Sequence, residues 1–298
     1  MSPPADAPGK PSREDIRSRI ELIRGWLGAR LAPEQLARLD EQVQRVAAGD
    51  AAATLVTAIG LAPRWLGKSP LDLSAAEREA GRRLVAGLDT AGWSIDQAAR
   101  MLFVLASFDG DEKAFAARLE ALLRSGEIGE HIALYRGLPL YPAPELLVPL
   151  AGEGIRSAVL PVFEAVAHNS PYPAAHFAEP MWNQMVVKAL FIESRLAPIQ
   201  GLDERRNPEL ARMLVDYARE RWAARRTVSP ELWRCVGPFA DSYFNDLLKA
   251  FRSGGGDERK AAALALSECP TPAALTALET APTLWREIRA GRLTWDDI

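Results

Sequence analysis

The sequence predicts an all-α protein. Along most of the 298-residue chain, apolar side chains recur at the three- and four-residue spacing that places them on one face of a helix. Gly, Pro or Asp turns interrupt this pattern after about ten to twenty residues each time. No alternating run of β-branched and aromatic residues predicts a strand. Because a four-helix bundle of this length would need fewer and longer helices, we expect an irregular α-solenoid of HEAT-like antiparallel helix pairs.

Helix boundaries follow from caps and breakers. Ser12 can cap a first helix whose apolar residues keep helical spacing up to its predicted end near Gly28. The further helices are predicted at 34–48, 51–60, 74–89, 94–107, 111–125, 144–151, 154–167, 178–193, 208–226, 229–236, 241–252, 256–268, 271–280 and 282–290. Residues 256–280 show the pairing best, with one helix ending at Cys269, a proline break and a second helix.

Proline content sets the expected domain organisation. Residues 1–11 contain four prolines and no apolar periodicity. We therefore expect a disordered N-terminal arm, followed by a single helical domain at 12–298. The segment GLPLYPAP at 137–144 is a candidate boundary between sub-domains.

Composition narrows the functional classes. The formal net charge is −3, which argues against a nucleic-acid partner. No run of about 18 apolar residues and no secretory signal occurs, so we expect a cytoplasmic protein without a transmembrane segment. Cys235 and Cys269 are too few for a disulfide framework or a thiolate zinc site, and we expect both to be reduced and structural.

The helix predicted at 178–193 carries the first candidate residues. It is apolar nearly all round except for Lys188, and burying an ammonium is costly unless it is paired or reaches water. Lys188 therefore either contacts water or a structural carboxylate, or serves as a Schiff-base or ligand-binding amine. Asn183 and Gln184 lie one turn earlier and could extend a polar groove.

Two histidines flank a proline-bounded loop. His168 follows Glu164 by four residues and would share its helix face, and His176 comes eight residues later. Two imidazoles and a carboxylate could hold a transition metal, although no metal-site spacing such as HExxH is present. The other interpretation is that His168 and Asn169 cap a helix end.

The segment GLDERRN at 201–207 precedes a long predicted helix. Asn207 at the cap, with proline next, is a helix start signal. Arg205 and Arg206 could face an anion at this positive helix end, or could be solvated or paired within the protein. Asp203 is the nearby carboxylate.

The helix predicted at 208–226 places Tyr217 on its apolar stripe together with Arg221. We expect an acidic partner for Arg221 from a neighbouring helix, since no acid lies three or four residues away. Trp233 and Arg234 could form a cation–π stack, or could be a buried tryptophan beside a surface arginine.

Several of these features belong to one block, residues 168–234. It contains HNSPYP at 168–173, WNQMVVKALF at 182–191, GLDERRN at 201–207, YARERWAARR at 217–226 and ELWR at 231–234. In combination these segments resemble the EboA-domain family. The resemblance implies a helical protein encoded beside a TIM-barrel metal-dependent hydrolase, a prenyltransferase of the UbiA kind and sugar-phosphate-isomerase-like proteins. It also implies a role in trafficking a secondary metabolite or its precursor, and it assigns no catalytic residue.

Two functional hypotheses follow. The first is a non-catalytic cytoplasmic adaptor or carrier, without a cofactor, that binds a small molecule or a partner protein in a groove formed by 168–234. The partner could be the hydrolase or the prenyltransferase encoded nearby. The candidate binding residues are His168, Asn169, Trp182, Asn183, Gln184, Lys188, Asp203, Arg205, Arg206, Asn207, Tyr217, Arg221, Trp233 and Arg234. The alternative is an enzyme that uses Lys188, His168 and Asp203, or a metal held by His168, Glu164 and His176.

Overall fold

The protein is described by a computed structural model covering residues 11–49, 52–269 and 271–298. Within these ranges the regular structure is helical, no strand forms, and one isolated bridge joins Pro70 to Ser94. The predicted all-α class is therefore confirmed. The expected disordered arm at 1–11 lies outside the described residues except for Pro11. None of the described helices combines the length and the apolar character needed to cross a membrane.

The chain divides into two compact units, the first ending at Ala178 and the second beginning at Glu179. The α-helices of the first unit are α1 (Arg13–Gly28), α2 (Pro33–Ala47), α3 (Ala52–Leu66), α4 (Ala75–Leu84), α5 (Ile95–Ala106), α6 (Glu112–Ser125), α7 (Ile128–Arg136), α8 (Val148–Arg156), α9 (Leu160–Ala167) and α10 (Tyr172–His176). Those of the second are α11 (Glu179–Phe191), α12 (Pro208–Ala223), α13 (Phe244–Ser253), α14 (Gly256–Ser267), α15 (Pro272–Glu279) and α16 (Pro282–Arg289). Helices of the 3₁₀ type lie at Leu138–Leu140, Pro144–Leu147, Pro230–Cys235, Gly237–Phe239 and Trp295–Asp297.

The predicted caps form as expected. The Ser12 hydroxyl accepts from the Asp15 amide at 3.1 Å, and the Asp15 carboxylate accepts from the Ser12 amide at 2.7 Å. This reciprocal pair satisfies two donors that would otherwise lack a partner at the start of α1. At α12, the Asn207 side chain accepts from the Leu210 amide at 2.8 Å. Each cap of this kind stabilises its helix by about 1 kcal/mol.

Helix α5 is the core of the first unit. Every residue from Ile95 to Ala106 is buried except the half-buried Gln97, and α5 packs against α1, α2, α3 and α7. Each large apolar side chain buried in this way contributes about 1.5–3 kcal/mol relative to an exposed one. The surrounding helices are therefore positioned by the faces that they bury against α5.

A buried ion pair lies within this core. Arg100 donates to Asp96 at 3.1 Å and to the carbonyl oxygens of Ile59 and Gly129, each at 3.0 Å. In a regular α-helix the Ile59 carbonyl would accept a hydrogen bond from the N–H of residue 63. Pro63 has no N–H, and its ring crowds that carbonyl. Arg100 therefore supplies the donor that Pro63 lacks, which explains how α3 continues through a proline.

Helix α14 has the equivalent role in the second unit. Residues 261–266 are all buried, and α14 packs against α13, α15, α16 and the 3₁₀ helix Pro230–Cys235. Trp233 is fully buried and stacks on Trp222, with ring centroids 5.7 Å apart. The packing of α14 against α15 agrees with the helix pair expected at 256–280, although α14 ends at Ser267 rather than Cys269.

Several predicted boundaries were wrong. The helix predicted at 51–60, whose first residue lies outside the described ranges, continues to Leu66 because Arg100 compensates for the proline. The helix predicted at 74–89 ends at Leu84, since Val85 is extended. The helix predicted at 154–167 is divided, because α8 ends at Arg156 and α9 begins at Leu160.

Two further differences concern helix type and number. Helices α7 and α10 were not predicted, since glycines flank the first and prolines bound the second. The segment predicted as a helix at 229–236 is of the 3₁₀ type. The candidate boundary at 137–144 lies inside the first unit, where Leu138, Leu140 and Tyr141 are buried. A single cooperative domain at 12–298 stays a prediction.

Candidate functional site

The buried amides of the second unit pair with each other. Asn183 is 2% exposed and donates to Asn207 at 3.1 Å, while Asn207 donates back to Asn183 at 2.8 Å. The same Asn207 oxygen caps α12. Because each amide satisfies the other, this pair joins α11 to the start of α12 and has a structural role.

Asp203 and Arg234 form a two-pronged ion pair. Arg234 donates from Nε at 2.8 Å and from Nη2 at 2.7 Å to the two carboxylate oxygens of Asp203. Arg206 donates to Glu268 at 2.8 Å, and Trp295 donates to the other Glu268 oxygen at 3.0 Å. We call these five residues the charge network. Its two guanidinium groups and two carboxylates balance, so the network leaves no net charge to attract a ligand.

Two ionisable groups at the charge network, Asp203 and its neighbour Cys235, have shifted pKa values. Hydrogen bonding from Arg234 holds the pKa of Asp203 below its ordinary value, despite the opposing effect of burial. Burial raises the pKa of the Cys235 thiol to about 12. Asp203 is therefore an occupied carboxylate and Cys235 an inert thiol at neutral pH, and neither is poised for nucleophilic or base chemistry.

The structure distinguishes the two interpretations of Trp233 and Arg234. Trp233 is buried and stacks on Trp222, and Arg234 bonds Asp203 instead of forming the cation–π stack. Trp182 is fully buried, and the Arg205 guanidinium lies 4.7 Å from its ring centre. A cation held over an indole face in this way stabilises the loop that precedes α12.

Arg221 bonds the backbone instead of an acid. Its Nε donates to the Thr227 carbonyl at 2.9 Å, and its guanidinium lies 5.9 Å from the Tyr217 ring centre. The expected acidic partner from a neighbouring helix was wrong, because the turn after α12 brings a carbonyl within reach. Tyr217 and Arg221 line a cavity of about 460 Å³ in the second unit. Lys188, which is half-buried on α11, does not line it.

In the first unit, the segment HNSPYP separates two cavities. The first, which we call the polar cavity, has a volume of about 280 Å³. It is lined by Leu88, Asp89, Ala91, Gly92, Trp93, Arg136, Pro139, Glu164, Ala165, His168, Asn169 and Ser170. The His168 amide closes α9 by donating to the Glu164 carbonyl at 2.9 Å, and Asn169 turns the chain with a φ of 52°. This is the helix-end role expected for both residues.

The second cavity, which we call the tyrosine cavity, has a volume of about 360 Å³. It is lined by Pro11, Asp15, Arg19, Arg83, Leu84, Val85, Ala86, Leu138, Pro139, Tyr141, Pro144, Pro171, Tyr172, Ala175 and His176. The wall is mostly apolar or aromatic, with charged groups from α1 and α4 among the lining residues. This is the composition expected of a small-molecule pocket, in which a few polar groups orient a largely apolar ligand.

Polar atoms of the tyrosine cavity's lining residues lack partners. Arg19 donates from Nη1 to the Leu140 carbonyl at 2.8 Å, but its Nε is buried and has no hydrogen-bond partner in the described part of the chain. The buried Tyr141 hydroxyl is in the same state. Buried donors without acceptors are costly, at about 1–3 kcal/mol each. A ligand oxygen that reached either group would remove this cost.

Electrostatics leave the lining of the tyrosine cavity with a net positive charge. Burial raises the pKa of the Tyr141 hydroxyl far above its ordinary value, and burial lowers the pKa of His176 from 6.5. Both are therefore neutral at pH 7. Arg19 and Arg83 then outweigh the single carboxylate of Asp15, which is itself engaged with Ser12.

The alternative metal site does not assemble. His168 lines the polar cavity and His176 lines the tyrosine cavity. The Nδ1 atom of His168 lies 3.9 Å from a Glu164 oxygen. Across the residues that the structure describes, no group of three or more His, Cys, Asp or Glu side chains is arranged to hold a metal ion.

The comparison with protein families identifies the relatives of this chain. The profile of metabolite traffic protein EboA matches residues 19–237. The chain belongs to the EboA family. No curated protein and no solved structure matches it significantly. The matched range confirms the resemblance expected from the block at 168–234, and it extends that resemblance back to α1.

The EboA match covers most of the polar and tyrosine cavities and three of the five residues of the charge network. Arg19, Arg83 and Tyr141 of the tyrosine cavity lie within it, but outside the block at 168–234. Sequence patterns did not single them out, because an arginine on an amphipathic helix and a tyrosine between prolines look ordinary. One available signal was the proline-rich segment 137–144, whose aromatic and apolar residues predict burial as readily as a boundary.

Proposed function

We propose that this EboA-family protein is a non-catalytic helical adaptor or carrier in metabolite traffic, and that its small-molecule site is the tyrosine cavity of the first unit. The observation that supports this most is an apolar, aromatic cavity of about 360 Å³ beside buried donors without partners. The family description adds metabolite traffic as the process.

The state of the polar residues supports the same proposal. Many of the candidate residues between 182 and 234 bond to other groups of the second unit, as in the Asn183–Asn207 pair and the Asp203–Arg234 pair. The donors and acceptors used in such pairs are not available to a ligand. We therefore place the ligand-binding part of the 168–234 groove at its first segment, residues 168–176.

The second unit would then supply the surface for a protein partner. We propose that α14 and α15 form a HEAT-like pair, and that a TIM-barrel hydrolase or a prenyltransferase encoded nearby binds in the cytoplasm to this unit. Exposed apolar side chains such as Leu275 on α15 support a contact surface.

A cavity-filling variant tests the ligand site. The neutral fluorescent probe N-phenyl-1-naphthylamine should bind the protein with one-to-one stoichiometry. Ala175 lines the tyrosine cavity, so Ala175→Trp should abolish binding by occupying the space. Ala117 is exposed on α6, and Ala117→Trp should leave binding unchanged. Equal binding to both variants would remove the tyrosine cavity as the site.

The polar cavity favours an enzyme as the second candidate function. It brings His168 close to Glu164, with Arg136 and Asp89 among its lining residues. A histidine oriented by a carboxylate is a common general base. Elemental analysis of the purified protein, and borohydride trapping of Lys188 with pyruvate, test the two enzymatic hypotheses. A stoichiometric metal or a lysine adduct would favour the enzyme.

A further inference from the structure

We infer that the ligand of the tyrosine cavity is a small amphiphile with an apolar body and one anionic group, which Arg83 and Arg19 bind. This rests on the proposed function and specifies the chemical class of its ligand.

The apolar body follows from the wall of the cavity. Leu84, Val85 and Leu138 line it together with two tyrosines and several prolines. Leu84 belongs to the exposed large apolar residues of the chain, at 38%. An apolar ligand that covered Leu84 would remove this surface from water, which is favourable in proportion to the area buried.

The anionic group follows from the charges beside this wall. Arg83 pairs with Glu79 at 3.6 Å, and its side chain is 77% exposed, so it can turn toward a ligand at little cost. Arg19 is already fixed by its bond to the Leu140 carbonyl and keeps one unpaired N–H. A carboxylate or phosphate suits these groups because guanidinium donors bind such oxygens with charge-assisted hydrogen bonds.

Neutral and cationic ligands are disfavoured by the same groups. A neutral ligand leaves the buried Arg19 N–H less well satisfied than an anion does, and a cation is repelled by both arginines. Asp15 offsets one of these two positive charges, and the lining keeps a net positive charge that disfavours a cation.

Three ten-carbon probes with different head groups provide the test. Decanoate, decanol and decylamine are compared at pH 7.5, below their micellar concentrations, for displacement of N-phenyl-1-naphthylamine from the full chain. Decanoate should bind roughly tenfold more tightly than decanol, the factor expected for a charged hydrogen bond, and decylamine should bind most weakly.

Matched arginine variants locate the effect. Arg83→Gln should weaken decanoate binding roughly tenfold and leave decanol unchanged. Arg82→Gln is the control, since Arg82 also contacts Glu79 but does not line the cavity. Arg19→Gln should act like Arg83→Gln, but Arg19 is partly buried, so the exposed Arg83 gives the more decisive result if folding suffers.

The outcomes separate this inference from the proposed function. Equal affinity for decanoate and decanol, or an equal effect of the Arg82 and Arg83 variants, overturns the anionic class while the cavity remains the ligand site. If the naphthylamine probe does not bind, direct calorimetry with decanoate decides. Saturable binding that is tighter for decanoate than for decanol and is lost in Ala175→Trp upholds both statements, and no binding of either compound overturns both.

Discussion

The bond from Arg100 to the Ile59 carbonyl predicts an energetic coupling between Arg100 and Pro63. Arg100 donates to this carbonyl at 3.0 Å, and residue 63 would be its usual helical partner if it were not a proline. Pro63→Ala restores an N–H at that position. The effect of this substitution on stability should therefore depend on whether Arg100 is present.

The magnitudes can be worked out from these contacts. Arg100→Met removes both carbonyl contacts and leaves Asp96 buried without its cation, which should destabilise the protein by about 3–5 kcal/mol. Part of that loss is the unpaired Ile59 carbonyl, at about 1–3 kcal/mol. In the Arg100→Met background, Pro63→Ala recovers this part. Pro63→Ala should therefore raise the free energy of unfolding by about 1–2 kcal/mol more in this background than in the protein that retains Arg100.

Urea unfolding of four proteins measures the coupling. The wild type, both single variants and the double variant are followed by circular dichroism at 222 nm. Pro33 opens α2, where no helical N–H is lost, so Pro33→Ala should combine additively with Arg100→Met. Additivity of Pro63→Ala and Arg100→Met to within about 0.5 kcal/mol would refute the compensation.

Three further predictions concern packing and charge. A Cβ at Gly154 would lie 2.6 Å from Val166, so Gly154→Ala should destabilise by about 1–3 kcal/mol in urea unfolding. Gly25 has nothing within 4 Å, so Gly25→Ala should instead stabilise by about 0.5–1 kcal/mol, and the same sign for both variants would contradict the geometry. Asn183→Ala removes both hydrogen bonds between the two amides and should cost about 1–2 kcal/mol, with a neutral result contradicting the structural role. The pKa of Asp203 is lower in the folded protein than in the unfolded chain. Its ion pair therefore stabilises the folded state fully at pH values above the unfolded pKa, and this stabilisation is lost as the pH falls through the folded pKa. The free-energy difference between wild type and Asp203→Asn should thus be constant near neutral pH and shrink below about pH 4, and a difference that grows with acid would contradict the pairing.

Features that depend on interactions between neighbouring residues were predicted correctly from the sequence. Ser12 and Asn207 cap their helices as predicted, because a capping hydrogen bond spans only three residues. The helix predicted to end at residue 60 continues through Pro63, and α7 was not predicted. In both cases distant contacts outweigh local propensity, with Arg100 bonding Ile59 in α3 and Gly129 in α7.

The pairing of charged side chains could not be predicted in the same way. No acidic partner was predicted for Arg234, which bonds Asp203, 31 residues away in the chain. The tyrosine cavity has the same character, since Arg19, Arg83 and Tyr172 come from three distant segments. A guanidinium has many possible partners, and the sequence does not state which carboxylate packing will bring near it.

By itself, the sequence determined the helical class, the caps and the family, because periodicity, capping chemistry and shared motifs are properties of neighbouring residues. The tertiary structure alone decided which polar residues pair with each other and which surround a cavity. That choice depends on the packing of helices around α5 and α14, where burial makes every unpaired polar group costly. Packing therefore paired Asn183 with Asn207 and closed the charge network, while it left polar atoms of Arg19 and Tyr141 in the lining of the tyrosine cavity without partners among the described residues.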